Sequence, residues 1–217
     1  MKSVITYYGG KSELAQDIAP YVPAGIKRYV EPFFGSGGLF FYRETRWAKI
    51  EIINDLNGDV VNFFRVLRDK PKKLIDLLQL TPHARQEQKD AAGIMARSKN
   101  DITRALYFFV RINQPFNGAR GWSIPVTKNK ASEWRNKIDP SLLYKAAARL
   151  SLVSLENNSA LKVMKLYDRP DTFFYLDPPY LSVNDPTGKD TAYRGFDMVE
   201  DDHERFIQQC LKMKSQQ

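Results

Sequence analysis

An α/β fold with a parallel sheet is predicted by three features of the sequence. Short apolar runs read as buried strands: YVEPFF at 29–34, KIEIIN at 49–54 and TFFYL at 172–176. The first runs into Gly35-Ser36-Gly37-Gly38 and then an apolar helix start, Leu39-Phe40-Phe41-Tyr42. The spans between strands carry apolar residues at helical rather than alternating spacing. A strand, a glycine-rich turn and a helix form the unit in which a ligand meets backbone at the carboxyl edge of a sheet.

Composition sets the bounds. The 217 residues, 43% of them hydrophobic, suffice for one core and an inserted subdomain. The net charge of +8 suits a polyanionic partner without naming one. A single cysteine, Cys210, excludes an internal disulfide and suits a reducing compartment. No run approaches membrane-spanning length and the first residues lack an apolar signal core. The expectation is a soluble, cytoplasmic protein without a membrane, a metal site or an obligate protein partner.

The N-terminal ITYYGGK, 5–11, leads into a helix over 13–19 that Ser12 could cap and that Pro20 and Pro23 end. It reads either as a plain turn or as a loop presenting an aromatic and a cation to a ligand. The glycine turn at 35–38 is neither a G-x-G-x-x-G pyrophosphate fingerprint nor a Walker A loop. Glu31 just before it places negative charge there, which suits a ligand with a positive centre. The next strand delivers Asp55 about 20 residues on, where an acid bonds ribose hydroxyls in related folds. Asp55 or Asn57 could equally cap the helix over 58–68.

From 56 to 150 the pattern is helical, too long for a plain crossover, and reads as an inserted subdomain. Within it the stretch 111–130, RINQPFNGARGWSIPVTKNK, is amide-rich, basic and aromatic. Amides can pair with adenine and arginine with guanine, while aromatics stack on bases. A solvated hairpin is the alternative for this stretch alone. A strand at 150–155, a helix at 160–166 and the strand at 172–176 follow, and the last delivers Asp177-Pro178-Pro179-Tyr180. A carboxylate and a main-chain carbonyl can accept the two N–H bonds of a planar exocyclic amine and turn its lone pair toward an electrophile. Pro178 stiffens the turn, and Tyr180 offers a face for stacking.

The segments ITYYGGKSEL, YVEPFFGSGGLFF, IINDLN, FNG and YDRPDTFFYLDPPY, in this order, resemble those of the Dam-type DNA adenine methyltransferases. The resemblance covers nearly the whole chain. It implies a Rossmann-like methyltransferase sheet with helices on both faces and an inserted, mainly helical DNA-recognition subdomain. Residues 1–56 and 149–217 would form the S-adenosylmethionine-binding catalytic domain, and 57–148 the target-recognition insertion. The implied activity is site-specific transfer of a methyl group from S-adenosylmethionine to the amino group of a flipped-out adenine in double-stranded DNA, in a phage or restriction–modification setting. The resemblance implies a cofactor set of Tyr7, Lys11, Glu31, Phe34, Gly35, Gly37, Asp55 and Asp177. It implies a catalytic set of Asp177, Pro178, Pro179 and Tyr180, and a DNA-reading set of Arg111, Asn113, Asn117, Arg120 and Lys128.

Two departures stand out. Many relatives carry an acid near the position of Ser159. Relatives also continue with further strands beyond the helix near 202–213, so a sheet incomplete at its carboxyl-terminal end is expected. An inactive or truncated DNA-binding remnant is the alternative reading. A methyltransferase acting on another planar nitrogen, in RNA or a protein amide, is the third.

Overall fold

The computed structural model describes residues 1–7, 10–114, 129–179 and 198–214. Four parallel strands, β1 (Arg28–Glu31), β2 (Ile50–Asn54), β3 (Ser154–Glu156) and β4 (Thr172–Phe174), form one sheet in the order β3-β2-β1-β4. Val30 lies level with Ile52 on one side and Phe174 on the other. The period-two alternation of strands divides their side chains between two cores. Tyr29, Ile53 and Phe173 join the larger one, and Val30, Ile52 and Phe174 the smaller.

The larger core holds α2 (Gly38–Tyr42) and the helices between β2 and β3. These are α3 (Gly58–Asp69), α4 (Pro71–Leu80), α5 (Arg85–Arg97), α6 (Asp101–Asn113), α7 (Lys130–Lys137) and α8 (Pro140–Leu150). The described residues within 57–148 are mainly helical, and Phe63, Phe64 and Phe109 share one continuous core with Tyr29, Phe34 and Phe40 of the sheet region. Even the polar α5 contributes an apolar stripe, with Ala91 and Met95 buried. The smaller core lies under α9 (Ala160–Tyr167) and α10 (Glu200–Cys210), where Phe206 packs edge-on against Phe33. Helices therefore cover both faces, as the α/β reading requires.

Local expectations shift at several ends. Helix α1 is a single turn, Ala15–Ile18, continued by a 3-10 turn, and Leu14 rather than Ser12 precedes it. Asn100 caps α6 by accepting from Ile102 and Thr103 N–H. The strand expected at 150–155 begins only at Ser154, because Leu143, Ala146, Ala147 and Leu150 keep α8 helical against the core. Among the described residues β4 has a single neighbour, β1, and so forms a sheet edge.

One buried ion pair fixes α8 to the sheet. Arg149 donates to both oxygens of Glu51 on β2, at 2.6 and 2.7 Å, and its guanidinium lies 3.9 Å from the Phe40 ring centre. Such a bidentate pair specifies a register more than it adds stability, since both charges are desolvated.

Candidate active site

Three strand ends bring three carboxylates to one edge of the sheet. β1 ends in Glu31, β2 is followed by Asp55, and β4 runs on through an extended segment to Asp177. The chain progresses from β1 through β2 to β3 on one side, whereas β4 returns to the other side of β1. The β1–β4 boundary is thus a topological switch point, where open parallel sheets bind ligands. A cavity of about 230 Å³ opens there. Tyr7 and Lys11 of the N-terminal loop, Glu31, Phe34 and Gly35 of the glycine turn, Asp55, and Asp177 to Pro179 all line it.

The glycine turn is shaped by close approach. Gly35 and Gly37 both have positive φ, +51° and +66°, which side-chain-bearing residues adopt at a cost. A Cβ on Gly37 would lie 2.4 Å from Phe34 Cζ, and one on Gly35 would lie 3.2 Å from the Tyr7 ring. Gly37 itself does not line the cavity. It lets the Phe34 ring fold under the turn and so holds Gly35 and Ser36 at the surface of the cavity.

Asp55 and Asn57 divide the two roles the sequence left open. Asn57 is the cap of α3, accepting from Asp59 N–H at 3.0 Å. The Asp55 carboxylate spans two backbone donors, Gly35 N–H and Asn57 N–H, both at 2.8 Å. It is therefore locked to the glycine turn while still lining the cavity. Burial pushes its pKa up to about 6, against the pull of those two bonds. Behind it, Asn54 donates to the carbonyls of Pro32 and Asn158 and accepts from Asn158 N–H. One buried amide thus ties the ends of β1 and β2 to the turn before α9.

Glu31 is 1% exposed. Tyr29, two residues earlier on the same strand face, donates its hydroxyl to Glu31 Oε1 at 2.5 Å, and Phe40 N–H also donates to the carboxylate. Burial pushes the Glu31 carboxyl up to about 8; the Tyr29 bond opposes this and the negative Asp177 adds to it. Burial likewise raises the Tyr7 phenol above its ordinary value, with Asp55 adding to the effect. Lys11 Nζ grips both Asp177 oxygens, at 2.9 and 3.0 Å, and the pair is largely buried.

Apart from Ser159, the remaining walls were not singled out from the sequence. Phe33, Leu161, Met198 and Phe206 form an apolar side between β1, α9 and α10. Ser159 lines the cavity and caps α9, with Lys162 N–H as its weak 3.4 Å donor. Phe33 lay in plain view beside Phe34. The contribution of α10 depends on tertiary packing and left no local signal.

The residues expected to read DNA separate. Arg111 is exposed on α6. Asn113 is 4% exposed, and its amide donates to Phe109 carbonyl and accepts from Thr6 N–H, so it is a structural tie and not a surface reader. Asn117, Arg120 and Lys128, together with Tyr180, lie outside the described residues.

The donor set has a definite chemistry. Carboxylates at three corners disfavour a polyphosphate and favour a ligand with positive charge and hydroxyls, while the aromatic and aliphatic wall suits a flat ring. Several known proteins are similar to the chain. The type II methyltransferase M1.LlaDCHI of Lactococcus lactis subsp. cremoris is 27% identical over 225 residues, covering 94% of this chain and 74% of that protein. The type II methyltransferase M.MjaIII of Methanocaldococcus jannaschii is 26% identical over 242 residues, 98% of this chain and 80% of its own. A DNA adenine methylase of Vibrio cholerae is 23% identical over 211 residues, 93% of this chain and 73% of that one. The sequence pattern of the D12 class N6 adenine-specific DNA methyltransferases matches residues 7–217, from the N-terminal loop through α10, and the chain belongs to this family.

Proposed function

We propose that the chain methylates the exocyclic amine of an adenine flipped out of double-stranded DNA at a specific site, with S-adenosylmethionine as donor in the cavity at the switch point. The observation that carries this reading is the convergence of Glu31, Asp55 and Asp177 on one cavity beside an apolar wall. When bound, the cofactor supplies an activated methyl group on a positively charged sulfur. Asp55 accepts from the ribose hydroxyls, and its two backbone bonds keep it aimed. Phe33, Leu161 and Phe206 cover the flat base, and Ser159 offers it a hydroxyl. Glu31, beside the glycine turn, faces the positive centre, with Tyr7, Phe34, Gly35 and Lys11 completing that side and Gly37 shaping it.

Asp177 and the Pro178 carbonyl accept the two N–H bonds of the target amine. Lys11 holds both Asp177 oxygens and yields one of them to that amine. Orientation and fixed charge then carry most of the rate enhancement. Pro179 stiffens the turn, and the family motif assigns Tyr180 to stacking on the extruded base. Arg111 and the following Asn117, Arg120 and Lys128 supply contacts to DNA, whereas Asn113 holds the root of that segment. Such a protein works in the cytoplasm with the DNA, and no helix among the described residues is long and apolar enough to cross a membrane.

The convergence of these groups also supports an active enzyme over a binding remnant. Incubation with methyl-labelled S-adenosylmethionine and unmethylated DNA should label N6 of adenine at one sequence. Asp177→Ala should abolish labelling while cofactor binding persists. Label on cytosine or RNA, or full turnover by Asp177→Ala, would contradict the assignment.

A further inference from the structure

We propose that Glu31 is a charge-compensating proton site for the transfer: its carboxyl gives up a proton when a sulfonium fills the pocket and takes one back once the methyl group has gone. The inference rests on the cofactor reading above and goes beyond it by assigning the fate of a proton. Glu31 is an almost fully buried acid on the cavity wall. The groups that act on it come from four parts of the fold: Tyr29 hydroxyl on β1, Phe40 N–H on α2, Asp177 after β4 and Arg149 on α8. Arg149 is already committed to Glu51 through both guanidinium nitrogens. Lys11 is committed to Asp177. Among the described residues, Glu31 thus has no salt-bridge cation; Asp55 has none either, but its two oxygens are held by the N–H groups of Gly35 and Asn57.

A buried acid in that position holds its proton near neutral pH until a positive centre arrives. The transfer forms an N–C bond at the amine and breaks the S–C bond, whose electron pair stays on sulfur. The amine must then shed one proton to end neutral. Asp177, on the amine, is the first acceptor, and Glu31, which has just lost its positive neighbour, is where the proton comes to rest. The charge within the pocket is then the same before and after the reaction. Lys11 balances Asp177 throughout, and Glu31 is negative only while sulfur is positive. Tyr29 is a positioning residue in this scheme. Its hydroxyl holds Oε1, and its ring is fixed by stacking on Trp47 and Phe173.

Calorimetric titration of the full chain at pH 7, in buffers of different protonation enthalpy, counts the protons released on binding. S-adenosylmethionine should release close to one proton more than S-adenosylhomocysteine, because a carboxyl titrating near 8 is about nine-tenths protonated at pH 7. Both ligands carry the same ribose and base, so any contribution from Asp55 cancels. Glu31→Gln should erase the difference. Tyr29→Phe removes a donor that favours the ionised form, so it should keep the difference and extend it to higher pH. In the wild-type protein the infrared carbonyl band of a protonated carboxyl should vanish with S-adenosylmethionine and persist with S-adenosylhomocysteine. Equal proton release by the two ligands, both bound, would overturn the role of Glu31. Failure of either ligand to bind would overturn the cofactor reading beneath it.

Discussion

Replacing Glu31 by glutamine should stabilise the ligand-free protein in mild alkali while weakening its hold on the cofactor. The ordinary pKa is 4.5 and burial carries it to about 8. An acid with a raised folded-state pKa keeps its proton in the folded protein after the unfolded chain has released it. The stability it contributes is complete below 4.5 and is lost as pH rises through 8. At about 1.4 kcal/mol per pH unit of displacement, the loss is bounded by about 5 kcal/mol. Glutamine is neutral at every pH and keeps an oxygen for the Tyr29 hydroxyl, but it turns an amide N–H₂ toward the other side. A net gain of about 2–3 kcal/mol at pH 8.5 is therefore expected, or about 4–12 °C in melting temperature for a domain of this size. At pH 5.5, one unit above the ordinary value, the loss is only about 1.4 kcal/mol, less than the cost of the mispaired amide, so the variant should melt slightly below the wild type. Asp55 also titrates on the acid side, and it does so equally in both proteins. Thermal unfolding at the two pH values, followed by circular dichroism, measures this directly. A glutamine variant that melts below the wild type at pH 8.5, or whose advantage is the same at both pH values, would refute the burial argument.

Three further outcomes are expected. Asp55→Ala removes the acceptor of two backbone N–H groups and the proposed acceptor of the ribose, so calorimetry should show cofactor affinity weakened by at least tenfold, in line with about 1.5–3 kcal/mol for a charged hydrogen bond. Arg149→Met leaves Glu51 buried without its partner and should cost about 3–5 kcal/mol in urea unfolding, whereas Arg149→Met with Glu51→Leu should recover most of it. Arg111→Ala should weaken DNA binding across sequences and reduce the magnitude of the salt-dependence slope by about one, if the exposed guanidinium meets a phosphate; an unchanged slope would remove it from the interface.

Two strand ends were legible because the apolar runs 49–54 and 172–176 stop at Asp55 and Asp177, whereas the run 29–34 was read past Glu31, where β1 ends. The glycine turn was legible too, since glycine adopts the positive φ at 35 and 37 without the cost a side chain brings. Asn113 was misread because an amide beside a basic segment looks exposed. Its burial follows from Thr6 N–H, a donor over one hundred positions away in the chain that needs an acceptor. Tyr29 and Glu31 stand two apart on one strand face, so their bond was available from the period of a strand, yet an aromatic in an apolar run reads first as core. The cavity wall from α10 had no sequence signal, because the position of that helix is set by Phe206 meeting Phe33 across the sheet.

The anchoring at Asn113 and its surroundings bears on how target preference could diverge. Gln114 is tied to Pro82 carbonyl, Lys137 to Asn113 carbonyl and Trp134 to Thr81 carbonyl, while Asn129 caps α7. Both roots of 115–128 are thus clamped by groups that touch neither Asp177 nor the glycine turn. Such anchoring predicts that the intervening residues can be exchanged for those of a relative without re-engineering the chemical centre, provided the four anchors stay. If the segment reads DNA as proposed, mutational drift there would change which sequence is marked and leave the marking itself intact.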